Sequence, residues 1–235
     1  MMYLYLFITL LLVGLIVYIF PLLAPKRSTL PILLFSKIGK PFPASKDAAV
    51  WLSEKRLERL FTQLQKRQFN TVLPADIVLG QLPKKAICLC FSGGYQSFYT
   101  LVFPLLQKYQ FKALVCLPVA HLGQYDAWEK EGPWQSLLTT EQLQQLKQSG
   151  LVAFAVQAES NEQASDLIWQ YQEYKSRLEN IYQLPVQTAF VKVVLNEQDH
   201  QTLAATYPLL ITAQHALPVA QRTNLQRLLW KLSKI

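Results

Sequence analysis

Short apolar runs alternate with longer amphipathic segments along most of the chain. Gly, Pro or polar residues bound the runs, which favours buried strands, whereas apolar residues at helical spacing in the intervening segments favour helices. The predicted strands cover residues 31–35, 86–91, 113–117, 151–156, 186–194 and 209–212. The predicted helices cover residues 47–68, 95–109, 140–148, 161–182, 197–205 and 224–232. This alternation predicts an α/β fold with a parallel sheet or barrel, whose chemistry lies at the carboxyl ends of the strands.

The N-terminal segment differs from the rest of the chain because residues 1–25 carry no charged side chain. Residues 3–24 are almost wholly apolar, and about 20 such residues suffice to cross a bilayer. We therefore predict one transmembrane anchor over residues 1–25, a linker over 26–30 and a single domain over 31–235. Lys26 and Arg27 follow the span, and the positive-inside rule then favours a cytoplasmic domain in a single-pass membrane protein.

The composition indicates a globular domain and gives no sign of a nucleic-acid partner. Hydrophobic residues make up 51% of the chain and charged residues 16%, with a net charge of +8. The Lys and Arg residues are scattered rather than gathered in an arm, so we interpret them as a solvated surface and a membrane flank. Cys88, Cys90 and Cys116 lie in apolar runs without a CxxC motif, which favours small buried hydrophobes over a disulfide or metal site.

A family resemblance is carried mainly by residues 85–109, which read Lys-Ala-Ile-Cys-Leu-Cys-Phe-Ser-Gly-Gly-Tyr-Gln-Ser-Phe-Tyr-Thr-Leu-Val-Phe-Pro-Leu-Leu-Gln-Lys-Tyr. This stretch resembles the first motif region of NodB-type polysaccharide deacetylases, above all the branch that de-N-acetylates biofilm poly-N-acetylglucosamine. Residues 32–36 and 143–156 resemble the first strand of that family and the segment before its second motif. The resemblance implies a distorted (β/α) barrel of the polysaccharide-deacetylase type. It also implies an extracytoplasmic domain. Because the flanking charge favours a cytoplasmic domain instead, the side of the membrane on which the domain lies stays open.

The same resemblance implies a metal site whose ligands this chain does not match. In the family, one Asp and two His hold a divalent metal that activates water. The Asp position falls on Gly93, the first His position on Gln157, and the second on Asn161, or on Glu162 with a spacing one residue longer. Glycine offers no ligand, amide oxygens replace imidazole poorly, and one carboxylate does not make a three-ligand site. We therefore predict that the family metal is lost and that no cofactor binds.

The positions that the family uses for proton transfer are also changed. The general-base Asp falls on Ser92 and the acid position on Ser36, and a hydroxyl is too weakly basic to replace a carboxylate near neutral pH. Ser92 does not stand in the G-x-S-x-G elbow of serine hydrolases, because a cysteine occupies the first position. His200 and His215 have no metal-ligand spacing, whereas His121 follows a strand end and could line the pocket.

Aromatic residues after the predicted strand 113–117 are candidates for sugar stacking, since this loop would overhang the mouth of a barrel. They could equally pack the loop down against the domain. The candidate ligand-binding residues are Ser92, Gln157, His121, Tyr125, Trp128 and Trp134.

Three functions fit these observations. The first is a membrane-anchored, catalytically inactive protein that binds a glycan or a protein partner in exopolysaccharide or cell-envelope metabolism. The second is an active carbohydrate N-deacetylase or esterase with atypical residues such as Ser92, Glu162 or His121. The third is a membrane-tethered assembly factor whose barrel only presents a docking surface. The loss of every aligned chemical residue favours the first.

Overall fold

The computed structural model describes residues 30–41, 50–128, 134–158, 164–220 and 223–232 of the chain. The strands are β1 (Ile32–Phe35), β2 (Lys37–Ile38), β3 (Trp51–Leu52), β4 (Asn70–Thr71), β5 (Ala86–Phe91), β6 (Ala113–Pro118), β7 (Val152–Gln157), β8 (Val186–Val191), β9 (Leu209–Thr212) and β10 (Leu217–Pro218). The α-helices are α1 (Glu54–Lys66), α2 (Pro74–Val78), α3 (Phe103–Tyr109), α4 (Thr140–Gln148), α5 (Ala164–Asn180), α6 (Glu197–Thr206) and α7 (Leu225–Leu232).

The main sheet is parallel and curled. Its strands follow the order β10-β1-β5-β6-β7-β8-β9, and β4 pairs with the first residues of β5. Strand β1 pairs with β5 on one side and with β10 on the other, where Leu33 lies opposite Leu217. Among the described strands, β9 and β10 end the path and do not pair with each other, so the sheet is a half-barrel rather than a closed barrel. The predicted α/β fold with a parallel sheet is confirmed.

The two faces of the sheet bury different side chains. The outer face packs large aliphatic and aromatic residues against the helices, for example against the fully buried Phe61 of α1. The inner face carries smaller side chains and contains all three cysteines, which are buried and free as predicted. The inner cluster consists of Val72, Cys88, Cys90, Leu114, Cys116, Ala155, Phe190 and Ile211.

Helix α2 covers the amino end of the half-barrel. It follows β4 directly, contacts β8 across the sheet and places Ile77 against the inner cluster. Proline at its first position suits a helix start, because that position needs no N–H donor. The sequence analysis did not predict this five-residue helix, which is too short to show a periodic pattern.

Two predicted helices differ from the structure at their starts. Helix α1 begins at Glu54, because Trp51 and Leu52 are extended and pair with β2 as strand β3. The prediction that started this helix at residue 47 was therefore wrong, and residues 42–49 lie outside the described residues. The predicted helix over 95–109 is disturbed at Pro104, as expected. A π-helical turn, Phe98–Val102, precedes α3, and the Phe103 N–H donates to the Phe98 carbonyl.

Most of the remaining elements lie where the apolar pattern placed them. Strands β5 and β9 match their predicted bounds, and α4 begins after the Thr139 cap, whose hydroxyl accepts a hydrogen bond from the Gln142 N–H at 3.3 Å. The predicted anchor over residues 1–25 lies outside the described residues. Within the described ranges, no helix combines the length and the apolar character that crossing a membrane requires.

Candidate functional site at the mouth of the half-barrel

The carboxyl ends of β1 and β5 bring two predicted site residues into contact. The Oγ atoms of Ser36 and Ser92 lie 3.2 Å apart. The Ser92 N–H also donates to the Phe35 carbonyl at 2.8 Å, which continues the pairing of β1 with β5 by one residue. These positions were predicted to lie together because parallel strands end at the same edge of a sheet. The site so far offers two hydroxyl groups and no carboxylate.

Gly93 and Gln157, which the resemblance predicts at metal-ligand positions, contact each other. The Gly93 N–H donates to the Oε1 atom of Gln157 at 3.1 Å, and Gln157 is only 3% exposed. The amide oxygen of Gln157 is therefore engaged with the backbone of β5. Asn161 and Glu162, the alternatives for the third ligand position, lie outside the described residues.

The backbone at Gly93 and Gly94 takes a turn that favours glycine, with φ angles of +93° and +57°. A Cβ atom added to Gly93 would lie 2.4 Å from the ring of Tyr95. A Cβ atom added to Gly94 would lie 2.9 Å from the Cδ atom of Pro118. The space that a side chain at position 93 would need is therefore filled by the Tyr95 ring, which is buried.

A buried ion pair lies beside this ring. The Nζ atom of Lys37 is 3.7 Å from the Oδ2 atom of Asp126, and both side chains are almost fully buried. The same Nζ atom lies 5.7 Å from the centroid of the Tyr95 ring, and the Asp126 carboxylate also accepts from the Gln135 N–H. The pair joins the chain after β1 to the loop after β6 and fixes both over Tyr95. The sequence analysis missed it, since nothing local in the sequence marks two distant residues as a pair.

The cavity that remains between these groups is very small. Its volume is about 10 Å³, and its lining includes Ser36, Ser92, Gly94 and Tyr95. A space of roughly that size holds no more than one water molecule. The predicted candidates Ser92 and Gln157 are both buried, with 7% and 3% of their surface exposed.

The aromatic loop over the mouth is partly exposed. Tyr125 and Trp134 are 56% and 54% exposed, whereas Trp128 packs edge-on against His121 with ring centroids 5.3 Å apart. A backbone bridge between Tyr125 and Ser136 joins the two arms of the loop, and a second bridge between Tyr95 and Leu137 joins the loop to the segment after β5. Both expectations for the loop therefore hold, but for different residues: Trp128 packs against His121, whereas Tyr125 and Trp134 are exposed.

The histidines do not assemble a metal site. His200 lies on α6, His215 accepts or donates a hydrogen bond at Thr212, and His121 packs against Trp128. Within the described ranges, no three His, Cys, Asp or Glu side chains are grouped so that they could hold a metal ion. The described residues therefore do not fit the metal that the resemblance implies.

The sequence comparisons give one short match. No family model matches the chain. A stretch of 33 residues is 61% identical to the poly-β-1,6-N-acetyl-D-glucosamine N-deacetylase of Escherichia coli strain K12. That stretch is 14% of this chain and spans only 5% of the length of the relative.

The fold is shared with solved deacetylase structures over most of its length. The deacetylase PplD of Streptococcus pyogenes superposes with a TM-score of 0.71 at 17% identity, over 86% of this chain and 97% of that one. IcaB from Ammonifex degensii gives 0.65 at 15% identity, over 82% and 92%. A polysaccharide deacetylase from Bacillus cereus gives 0.66 at 15% identity, over 86% and 68%. The resemblance to polysaccharide deacetylases is thus confirmed at the level of the fold.

Proposed function

We propose that this protein is a membrane-anchored, catalytically inactive protein of the deacetylase fold. It binds a polysaccharide or a protein partner of an exopolysaccharide or cell-envelope system. The observation that carries this proposal is the contact between the Gly93 N–H and the Gln157 amide oxygen beneath the Tyr95 ring. The two residues that the resemblance places at metal-ligand positions are hydrogen-bonded to each other, which supports the loss of the metal.

The chemistry of the mouth supports inactivity. Hydrolysis of an acetamide requires a base or a metal to activate water, and a group that stabilises the charge developing on oxygen. Ser36 and Ser92 bond to each other and Gln157 bonds to backbone, and none of the three is a base near neutral pH. The nearby carboxylate of Asp126 is paired with Lys37.

The exposed aromatic residues support a polysaccharide as the ligand. Tyr125 and Trp134 are exposed in the loop after β6, and the flat faces of a sugar chain can stack on aromatic rings. The matched Escherichia coli protein is named for its action on poly-β-1,6-N-acetyl-D-glucosamine. Oligomers of β-1,6-linked N-acetylglucosamine are therefore the first ligand to test.

Inactivity is tested on the purified full chain, with and without added zinc. Acetate release from the N-acetylglucosamine oligomers and the metal content of the protein are measured together. We expect neither acetate above the rate without protein nor a stoichiometric metal. Release of acetate that rises with protein concentration, or one firmly bound metal ion per chain, would refute the inactive assignment and favour an enzyme with atypical residues.

Glycan binding is tested separately by calorimetry with the same oligomers. We expect Trp134→Ala to weaken binding by at least about tenfold, as does the loss of an aromatic side chain that becomes buried against the ligand. Trp169→Ala is the matched control, because Trp169 is 62% exposed but lies on α5. If both variants and the unsubstituted protein bind with equal affinity, Trp134 is not part of the binding surface. If no oligomer binds while a membrane protein co-purifies with the chain, the docking-factor hypothesis replaces glycan binding.

The location proposed for the protein is the cell membrane, through residues 1–25. The flanking Lys26 and Arg27 favour a cytoplasmic domain, and the deacetylase resemblance favours the opposite side. A reporter fused after Ile235 decides between them, with alkaline phosphatase active only outside the cytoplasm and a fluorescent protein folding well inside it.

A further inference from the structure

An apolar projection lies at the amino end of the half-barrel, on the side opposite the mouth. Ile77 of helix α2 packs against the inner cluster, whereas the residues that follow it are exposed. Val78, Leu79 and Leu82 are 45%, 67% and 39% exposed, although all three are large aliphatic side chains. Three exposed aliphatic residues within five positions are unusual on a protein surface, and such groups mark interaction surfaces.

A basic cluster flanks this projection. Lys66 and Arg67 end α1, and Lys84 and Lys85 precede β5. The two segments touch, because the Lys85 Nζ atom donates to the Arg67 carbonyl at 3.0 Å. All four side chains are exposed. In the part of the chain that the structure describes, their charge is not neutralised by a carboxylate, since the nearby Asp76 pairs with Lys112.

The chain reaches the domain at this same end. The Pro31 carbonyl accepts from the Cys88 N–H at 3.0 Å, so residue 30 lies beside the first residues of β5 and close to Lys85. Five residue steps separate residue 25, the end of the uncharged segment, from residue 30. Five steps of extended chain span roughly 18 Å at most. An apolar segment held in a bilayer would therefore keep the amino end of the half-barrel close to the lipid surface.

We propose that the amino end of the half-barrel docks on an anionic phospholipid surface. Val78, Leu79 and Leu82 enter the interface, and the cluster of Lys66, Arg67, Lys84 and Lys85 binds the lipid phosphates. Aliphatic side chains surrounded by Lys and Arg are typical of membrane-surface segments, whereas protein interfaces are enriched in aromatic anchors and depleted in Lys. The proposal rests on the proposed membrane anchor over residues 1–25 but not on what the mouth binds.

This orientation has a consequence for the mouth. The mouth and the docking face lie at opposite ends of the parallel strands, and a six-residue strand such as β5 spans about 20 Å. Tyr125 and Trp134 would therefore be held away from the bilayer and open to a ligand in solution.

The test uses the full chain in vesicles of phosphatidylcholine, with and without phosphatidylglycerol. A Leu79→Cys variant is labelled with an environment-sensitive fluorophore, which is selective because the native thiols at 88, 90 and 116 are buried. A Val194→Cys variant is the matched control, since Val194 is 78% exposed beyond the carboxyl end of β8. We expect a blue shift, and quenching by lipid-borne quenchers, only at position 79 and only with phosphatidylglycerol present.

Charge reversal separates specific docking from attraction of the whole basic protein. We expect Lys84→Glu with Lys85→Glu to lower the ratio of docked to undocked protein at position 79 by about fivefold for each cation removed. Lys55→Glu with Arg59→Glu makes the same charge change in the first half of α1, away from the docking face, and should leave the docked fraction unchanged. The proposal is overturned if position 79 stays aqueous in both lipids, if position 194 responds equally, or if both charge reversals act alike.

Discussion

The packing of Tyr95 over Gly93 gives the sharpest test of the closed mouth, through Gly93→Ala. The new Cβ atom would lie 2.4 Å from the ring, at a residue whose φ is +93°. The left-handed backbone costs a non-glycine residue about 1–2 kcal/mol, and overpacking a full site costs about 1–3 kcal/mol more. We therefore expect the free energy of unfolding to fall by roughly 2–5 kcal/mol.

The chain supplies a control that separates these two costs. Gly123 has a φ of +76° but no atom within 4 Å of an added Cβ. Gly123→Ala should therefore cost only the backbone part, about 1–2 kcal/mol. Both variants are compared by urea denaturation under identical conditions, with the intrinsic fluorescence of the domain as the signal.

A double-mutant cycle then identifies the ring as the source of the steric cost. Tyr95→Ala alone is expected to destabilise the domain by about 3–5 kcal/mol, because it removes a buried aromatic side chain. In that background the overpacking part of Gly93→Ala should vanish, which gives a coupling energy of about 1–3 kcal/mol. A coupling near zero, or equal costs at Gly93 and Gly123, would mean that Tyr95 does not occupy the space above Gly93.

Three further predictions concern stability. Lys37→Met should cost about 3–5 kcal/mol in denaturant melts, because it removes the cation that lies 3.7 Å from the buried Asp126 carboxylate. Thr139→Ala should cost about 1 kcal/mol by the same assay, through loss of the cap of α4. Burial raises the pKa of Cys88, and the hydrogen bond to a neighbouring thiol together with burial raises that of Cys90. A thiol of the unfolded chain ionises near about pH 8.5, whereas Cys88 and Cys90 stay protonated in the folded protein. The free energy of unfolding should therefore be unaffected by these thiols below about pH 8.5. Above that pH it should fall by up to about 1.4 kcal/mol per pH unit for each thiol.

Each of these predictions has a control in the same chain. Lys37→Met combined with Asp126→Asn should recover most of the loss, because the stranded charge is gone. Thr140→Ala lies one residue past the cap and should change stability by no more than about 0.5 kcal/mol. Replacing Cys88 and Cys90 by Ala should flatten the alkaline slope between about pH 8.5 and pH 10. An unchanged slope in that variant would assign the pH dependence to other groups.

The parts of the fold that sequence patterns predicted are those set by local burial. Strand β5 matches its predicted bounds because an apolar run between Lys85 and Ser92 can only be buried as a central strand. The predicted start of α1 was wrong because Val50 fits the helical spacing. The extended conformation of Trp51 and Leu52 depends instead on their pairing with β2. That pairing is a tertiary contact, which periodicity along one segment does not reveal.

In the candidate site, too, the sequence predicted some features and not others. Ser36, Ser92, Gly93 and Gln157 were expected at one edge of the sheet and lie there, because strand order and direction suffice to bring them together. The role of Tyr95 was missed, since the sequence analysis assigned it to the start of a helix. Two consecutive glycines ahead of an aromatic residue were the available signal, because they allow a ring to fold back over the chain.

The pairing of β1 with β10 affects how the protein is made. Leu33 and Leu217 are partners although 184 positions separate them, so during translation the edge of β1 stays unpaired until nearly the whole domain has been synthesised. Contacts over such long separations form slowly, and an open strand edge can pair with the wrong chain. The edge of β1 is therefore open to mispairing until β10 leaves the ribosome.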